Sequence, residues 1–215
     1  MQKCVGLLLV SLLISVTTQG QLLTKEQLKK EKAFVSLTEA LKNPDKVVKL
    51  ELWSADLQAV PLEIFKFKNL QVLNLNFNQI KSLPRAFVRL KYLQELRLGH
   101  NQLSHVPTIL EKLAHLRILD LHGNQLKSIP DNIGQLTQLE ELYLHENQLK
   151  EVHSSWQALT RLRFVNLSEN KLQSLPVSKN HQLKQLKMLI VVENPIADKA
   201  KNTISTILKD VEIRF

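Results

Sequence analysis

The chain repeats itself every 23 residues, and every copy but the first carries Asn at the ninth place of its opening phrase. Leu70, Leu93, Leu116, Leu139 and Leu162 are evenly spaced. They open LQVLNLNFNQI, LQELRLGHNQL, LRILDLHGNQL, LEELYLHENQL and LRFVNLSENKL. A degraded copy, VVKLELWSADL, starts at Val47, with Ala55 where Asn is due. A last one, LKMLIVVENPI, starts at Leu186 after one extra residue. No single 23-residue unit can bury its own apolar face. A regular series of them can do so by stacking, which makes a linear array the expected architecture.

Within each phrase, apolar and polar residues alternate over x-x-L-x-L-x, the pattern of a short strand with one buried face. Leu73 and Leu75 are expected to point inward, Asn74 and Asn76 outward. Asn78, Asn101, Asn124, Asn147, Asn170 and Asn194 recur at one place in successive copies. An Asn amide has two donors and one acceptor, so a stacked series can satisfy the backbone groups that a turn leaves unpaired. Pro84, Pro107 and Pro130 in the return half predict extended or tight-turn backbone on the far side. Two further columns complete the core: Ile64, Phe87, Leu110, Ile133 and Trp156, then Phe67, Leu90, Leu113, Leu136 and Leu159.

These residues resemble the leucine-rich repeat family. The return half, L-x-x-L-P-x-x-I-x-x-L, is similar to its 23-residue class, found in plant intracellular Ras-group and many bacterial members. The resemblance covers about 150 residues and implies an α/β repeat solenoid. That is a curved horseshoe with a parallel β-sheet on the concave face, an irregular or 3-10 convex side, and helical caps at both ends.

The termini follow a different pattern. Residues 1–20 read as a cleaved secretory signal: Lys3, an apolar stretch from Val5 to Val16, then Thr18 and Gly20 at the spacing of a peptidase site. The apolar stretch is too short to span a bilayer. Residues 21–46 read as an N-terminal helical cap, one helix over Thr24–Lys42 opened by a Thr24/Gln27 capping box and stopped at Asn43-Pro44. Seven repeats occupy 47–196. A helix-and-strand cap occupies 197–215, with Ala200, Ile204, Ile207 and Leu208 on one helix face and VEIRF as a closing strand. The flanking blocks L-T-E-A-L-K-N-P and N-P-I are similar to those of secreted leucine-rich repeat proteins of leptospiral spirochaetes. Cys4 is the chain's one cysteine and would leave with the signal, so the caps must hold without disulfides. The Asn166-Leu167-Ser168 sequon falls inside a repeat phrase and reads as coincidence.

The formal net charge is +9, but its distribution decides more than its size. Four places per phrase (third, fifth, seventh and eighth) should face the hollow or its rim. They hold Glu51, Glu95, Asp120, Glu141, Glu146, Glu169 and Glu193 against only Lys49 and Arg97. A nucleic-acid binder would line its groove with the opposite sign. The basic residues, among them Lys66, Lys68, Lys81, Arg85, Arg89, Lys91, Lys127 and Lys150, belong to the flank and convex side.

No catalytic constellation or cofactor motif is visible: there is no phosphate loop among five Gly, no nucleophile elbow, and no thiol after the signal. His122 and His145 share an outward place in neighbouring copies, with Asp120 on the same face and His100 and Glu146 one place away. That spacing permits a metal site without demanding one. Apolar residues at outward places point instead to a contact surface. Tyr143, Phe164, Met188, Ile190 and Val192 cluster on the last strands, with Val72, Ile118, Phe77 and Trp53 more sparsely placed. Asp120, His122, His145 and Glu141 would complete the partner-binding set. The competing expectation is that the terminal helix folds over Met188, Ile190 and Val192.

The expected function is that of a secreted, non-enzymatic, monomeric protein-binding module. Its resemblance implies a bacterial virulence role and a host cell-surface or adhesion receptor as partner, by analogy with internalins. The alternatives are an adhesin for extracellular matrix or anionic glycans using the basic flank, and a periplasmic scaffold.

Overall fold

A computed structural model describes residues 20–215. The signal segment expected over residues 1–20 lies, apart from Gly20, outside the described residues.

The inward leucines of successive copies meet side by side. Strands β2 (Lys49–Glu51), β3 (Val72–Asn74), β4 (Glu95–Arg97) and β5 (Ile118–Asp120) pair in parallel and in register. After a short convex strand, β6 (Ser128–Ile129), β7 (Glu141–Tyr143) joins the same sheet. A second convex strand, β8 (Glu151–Val152), pairs only with β6. Strands β9 (Phe164–Asn166) and β10 (Met188–Ile190) continue the main sheet. Leu50, Leu73, Leu96, Leu119, Leu142, Val165 and Leu189 thus form one buried row. They merge with the convex-side columns into one continuous core, in which Trp156 donates its Nε1 hydrogen to the Pro176 carbonyl at 3.0 Å.

The convex side is built from one-turn 3-10 helices at Leu62–Lys66, Arg85–Arg89, Thr108–Lys112, Asp131–Gln135 and Ser154–Ala158. Pro61, Pro84, Pro107 and Pro130 immediately precede the first four. Their fixed φ suits a helix entry, and their missing N–H removes a donor that would have no partner there.

The Asn series forms the expected ladder. Asn101 donates to the Leu75 carbonyl of the preceding copy at 2.9 Å and to its own Leu98 carbonyl at 3.1 Å, and accepts from Ile80 N–H at 2.9 Å. Asn124, Asn147 and Asn170 repeat the arrangement. In the first copy, where Ala55 replaces Asn, Asn78 reaches back to accept from both Ala55 and Leu57 N–H. The turn ahead of each Asn requires left-handed backbone. Ser54, Phe77, His100, Gly123, Glu146, Glu169 and Glu193 all have φ between 49° and 61°. Only one of the seven is glycine, so the ladder holds six residues against a steric penalty of about 1–2 kcal/mol each.

The N-terminal cap differs from the single helix expected over Thr24–Lys42. It consists of α1 (Lys25–Lys30), β1 (Ala33–Phe34) and α2 (Leu37–Ala40). The Thr24/Gln27 capping box is present. The helix breaks because β2 would otherwise present an unpaired edge, and Ala33 and Phe34 pair with Lys49 and Leu50 to cover it. Local helix preference yields to the hydrogen bonds of an open sheet. At the other end, α3 (Asp198–Ile207) buries Ile204 in the core, with Leu208 just beyond it. Strand β11 (Glu212–Arg214) pairs with β10. The sheet therefore has nine strands, all parallel, in the order β1-β2-β3-β4-β5-β7-β9-β10-β11.

Candidate protein-binding surface

The outward residues form rows across the sheet. One row holds Lys49, Val72, Glu95, Ile118, Glu141, Phe164 and Met188. A second holds Glu51, Asn74, Arg97, Asp120, Tyr143, Asn166 and Ile190. Strand register makes neighbours of residues 23 or 24 apart in sequence.

The first row is not open along its whole length. The segment from Gly20 through α1 lies across it. Leu23 and Leu28 pack with Val48 and Val72, forming a small cluster separate from the main core. Lys25 Nζ sits 3.0 Å from Glu141 Oε1. Val72, expected in the partner-binding set, is only 2% exposed, and Ile118 only 8%. Ile118 lines the narrow groove left beside Lys25 and Leu28. These two are corrections to the sequence reading: outward residues at the N-terminal half are covered by the chain's own leader into the cap. Glu141 is engaged as well, by Lys25 and by the Tyr143 hydroxyl, which donates at 2.9 Å. Burial, with the Glu141 hydrogen bond and charge, pushes the Tyr143 hydroxyl well above its usual pKa.

A ring ladder runs along the turn edge. Phe77 stacks on His100 with centroids 4.4 Å apart, His100 meets His122 edge-on at 4.5 Å, and His122 lies over His145 at 4.5 Å and 7°. Gly99 and Gly123 make room for it: a methyl group on Gly99 would overlap the His122 ring, and one on Gly123 the His100 ring. Asp120 is buried, which corrects its expected place among exposed contacts. Its Oδ1 accepts from His122 Nδ1 at 2.5 Å and from His122 N–H at 3.2 Å, so it positions that ring. Burial pushes Asp120 upward, but the hydrogen bond and charge of His122 outweigh it and leave the carboxyl below its ordinary value. The Asp120 hydrogen bond raises His122, whereas burial and the His122 charge lower His145. Parallel rings direct their in-plane nitrogens along separate planes. Among the described residues, no three His, Cys, Asp or Glu gather as a metal ion requires.

The C-terminal half of the hollow is open. Tyr143 and Phe164 lie with ring centroids 5.1 Å apart, and Phe164, Met188 and Ile190 are part-exposed in adjoining strands. Helix α3 does not cover them, contrary to the competing expectation, because Ile204 and Leu208 turn into the core at the array's end. Their neighbours on the far side are Glu212 and Arg214 of β11, ion-paired to each other at 2.7 Å. Phe77 and Trp53 are more exposed still, at 52% and 56%. Along the rim, Glu146, Glu169 and Glu193 are exposed.

Sequence reasoning missed the pair that holds the N-terminal segment. Gln71 and Gln94, at the second place of consecutive phrases, are buried and hydrogen-bonded to its backbone. The available signal was the repetition of Gln where the next copies carry Arg117 and Glu140, which pair with each other at 2.9 Å.

A family model described as leucine rich repeat matches residues 45–103, 93–149 and 137–196. The chain belongs to the leucine-rich repeat family. Among solved leucine-rich repeat structures, one from Leptospira interrogans is 33% identical with a TM-score of 0.62, covering 74% of this chain and 46% of that one. The leucine-rich repeat ectodomain of the Arabidopsis thaliana membrane receptor kinase GASSHO1/SCHENGEN3, solved in complex with Casparian strip integrity factor 2, is 27% identical. Its TM-score is 0.66, over 85% of this chain and 22% of that one. An internalin of Listeria monocytogenes shares the fold at 20% identity and a TM-score of 0.69, covering 81% of this chain and 49% of that one. This chain thus spans less than half the length of each leucine-rich repeat relative named. Among curated proteins none matches it.

Proposed function

We propose that the protein is a secreted, non-enzymatic binding module that grips a protein partner through the open, C-terminal half of its concave face. Leucine-rich repeat domains are typically protein-binding modules, and this one is similar to a receptor ectodomain and to a leptospiral protein. The observation that carries the reading is the contiguous, part-exposed group Tyr143, Phe164, Met188 and Ile190 on the half of the sheet face that the N-terminal segment leaves uncovered. Water alone gives no reason for four such residues at adjoining outward places. Aromatic anchors beside an acidic rim suit a partner with an apolar centre and basic periphery. Across the open half, β7, β9, β10 and β11 at about 4.8 Å give roughly 15 Å of width, so a contact of about 800 Å² per partner would extend onto the exposed rim of Glu146, Glu169 and Glu193. The similarity to a leptospiral protein supports a virulence role, with a host cell-surface or adhesion receptor as the partner.

The test is capture of surface-labelled host-cell proteins by wild type and by the Tyr143→Ala/Phe164→Ala variant. Selective loss of a captured species by about tenfold or more supports the site. Equal recovery of every species refutes it.

A second reading has its own observation. On the convex flank, Lys81, Arg85, His105, Ser82, Ser104 and Thr108 line a cleft of ≈ 620 Å³. Neither Lys81 nor Arg85 has an ion-pair partner among the described residues. Anionic glycans would bind there, and such binding would fall steeply with salt and with Lys81→Ala/Arg85→Ala. Under the first reading that variant is silent.

A further inference from the structure

The N-terminal segment sits on the sheet as a bound ligand would. Leu23 N–H donates to Gln71 Oε1 at 2.9 Å, and the Leu23 carbonyl accepts from Gln94 Nε2 at 2.9 Å. The Gln21 carbonyl accepts from Gln71 Nε2 at 2.8 Å. Gln94 Nε2 also donates to Gln71 Oε1 at 2.7 Å, which fixes the two amides relative to each other. This clamp reads main chain, so it accepts any extended segment. Selectivity lies in the side-chain contacts: two leucine seats against Val48 and Val72, and Glu141 facing Lys25. The segment is joined to β1 only through Glu31 and Lys32, and its leucines form a cluster apart from the continuous core. Two leucines, one part-exposed ion pair and the main-chain hydrogen bonds to Gln71 and Gln94 hold the segment on a surface that otherwise faces solvent.

We infer that this groove is a second recognition site, for a protein segment that enters extended and turns into a short lysine-bearing helix with the spacing Leu-x-Lys-x-x-Leu. Residues 21–30 occupy it in cis, and an external segment of that chemistry displaces them. The site is built from Gln71, Gln94, Val48, Val72 and Glu141; it borders the Tyr143–Phe164 surface at Glu141, which accepts from the Tyr143 hydroxyl, but its Gln71–Gln94 clamp lies two or more strands away. Its failure and the failure of that surface are therefore separable.

The probe is a fluorescein-labelled peptide QLLTKEQLKKEK, copied from residues 21–32, titrated against the full-length protein. The Leu23→Asp/Leu28→Asp variant, whose own segment is unseated, should bind it at least about tenfold more tightly than wild type, since the cis segment lowers the competent fraction. Adding Gln71→Ala/Gln94→Ala should abolish that binding, and Met188→Ala/Ile190→Ala, two strands from Glu141, should leave it unchanged. Equal binding to wild type and unseated variant overturns the proposal, as does no binding to an unseated variant with a native circular dichroism spectrum. Hydrogen exchange on wild type decides the matter should that variant not fold. The Leu23 and Leu28 amides should exchange about 100-fold faster than that of Leu96, through local opening. Protection equal to Leu96 would mark the segment as permanent core and refute displacement.

Discussion

His122 lies face to face with His145, ring centroids 4.5 Å apart and planes 7° from parallel, yet the two imidazoles are pushed in opposite directions in proton affinity. The asymmetry comes from Asp120, which bonds the first ring and only weakly favours a charge on the second. Stacking two neutral rings, or one neutral on one charged, is tolerable. Two charges at that separation are not.

This pair gives stability a maximum near the ordinary His value of 6.5. His122 has a raised folded-state pKa, so its contribution is complete below 6.5 and fades as pH climbs through the raised value. His145 has a lowered one, so its contribution is complete above 6.5 and fades as pH falls toward the lowered value. Asp120 adds a further acid-side loss, confined below its ordinary 3.8. Urea midpoints measured from pH 5 to 8 should show the maximum. His122→Gln should flatten the alkaline side and His145→Gln the acid side.

Asn147→Ala should lower stability by about 3 kcal/mol. The amide accepts from Leu126 N–H, which is left unpaired in a buried site, and it donates to the Leu121 and Leu144 carbonyls, which lose one donor each and keep Asn124 and Asn170. For a chain of this size that is about 6–12 °C in thermal midpoint, readable by calorimetry.

Gly123→Ala and Glu169→Gly should act in opposite directions at equivalent places of the repeat. Gly123 has φ 61° and a ring directly above it, so a methyl both strains the backbone and displaces His100, for about 2 kcal/mol lost. Glu169 is exposed with φ 53°, and glycine there relieves the steric penalty, for a gain of about 0.5–1 kcal/mol. Paired denaturation curves check both signs.

The two tryptophans should separate cleanly. Trp156→Phe empties part of the core and leaves the Pro176 carbonyl without its donor, for about 2–3 kcal/mol. Trp53→Phe, at a half-exposed outer place, should stay within about 0.5 kcal/mol. Intrinsic fluorescence of the two single-tryptophan variants should be blue-shifted for Trp156 and red-shifted for Trp53.

The strand register could be read in advance because Leu73, Leu96, Leu119 and Leu142 recur at a fixed interval and a parallel stack leaves them one arrangement. The Asn ladder was legible for the same reason. The positive-φ row was not, since Phe77, His100 and the three glutamates carry no mark of left-handed backbone, and only Gly123 hints at it. Nor was the covered half of the hollow. Leu28 looks like any apolar helix position, and periodicity says which face of a helix is apolar but not which surface that face meets. Phe34 shows the same limit: it fits a helix, and the unpaired edge of β2 claims it.

The copy that opens at Leu162 carries one residue more than the others before the last begins at Leu186, and the ladder absorbs it. Asn170 reaches a carbonyl 26 residues behind it, and Asn194 one 27 behind, with the same bond length to within 0.2 Å. The surplus is taken up on the outer arc, where nothing is counted. Lineages carrying this architecture can therefore gain or lose loops on the outside freely, whereas on the inside they can grow only by whole modules.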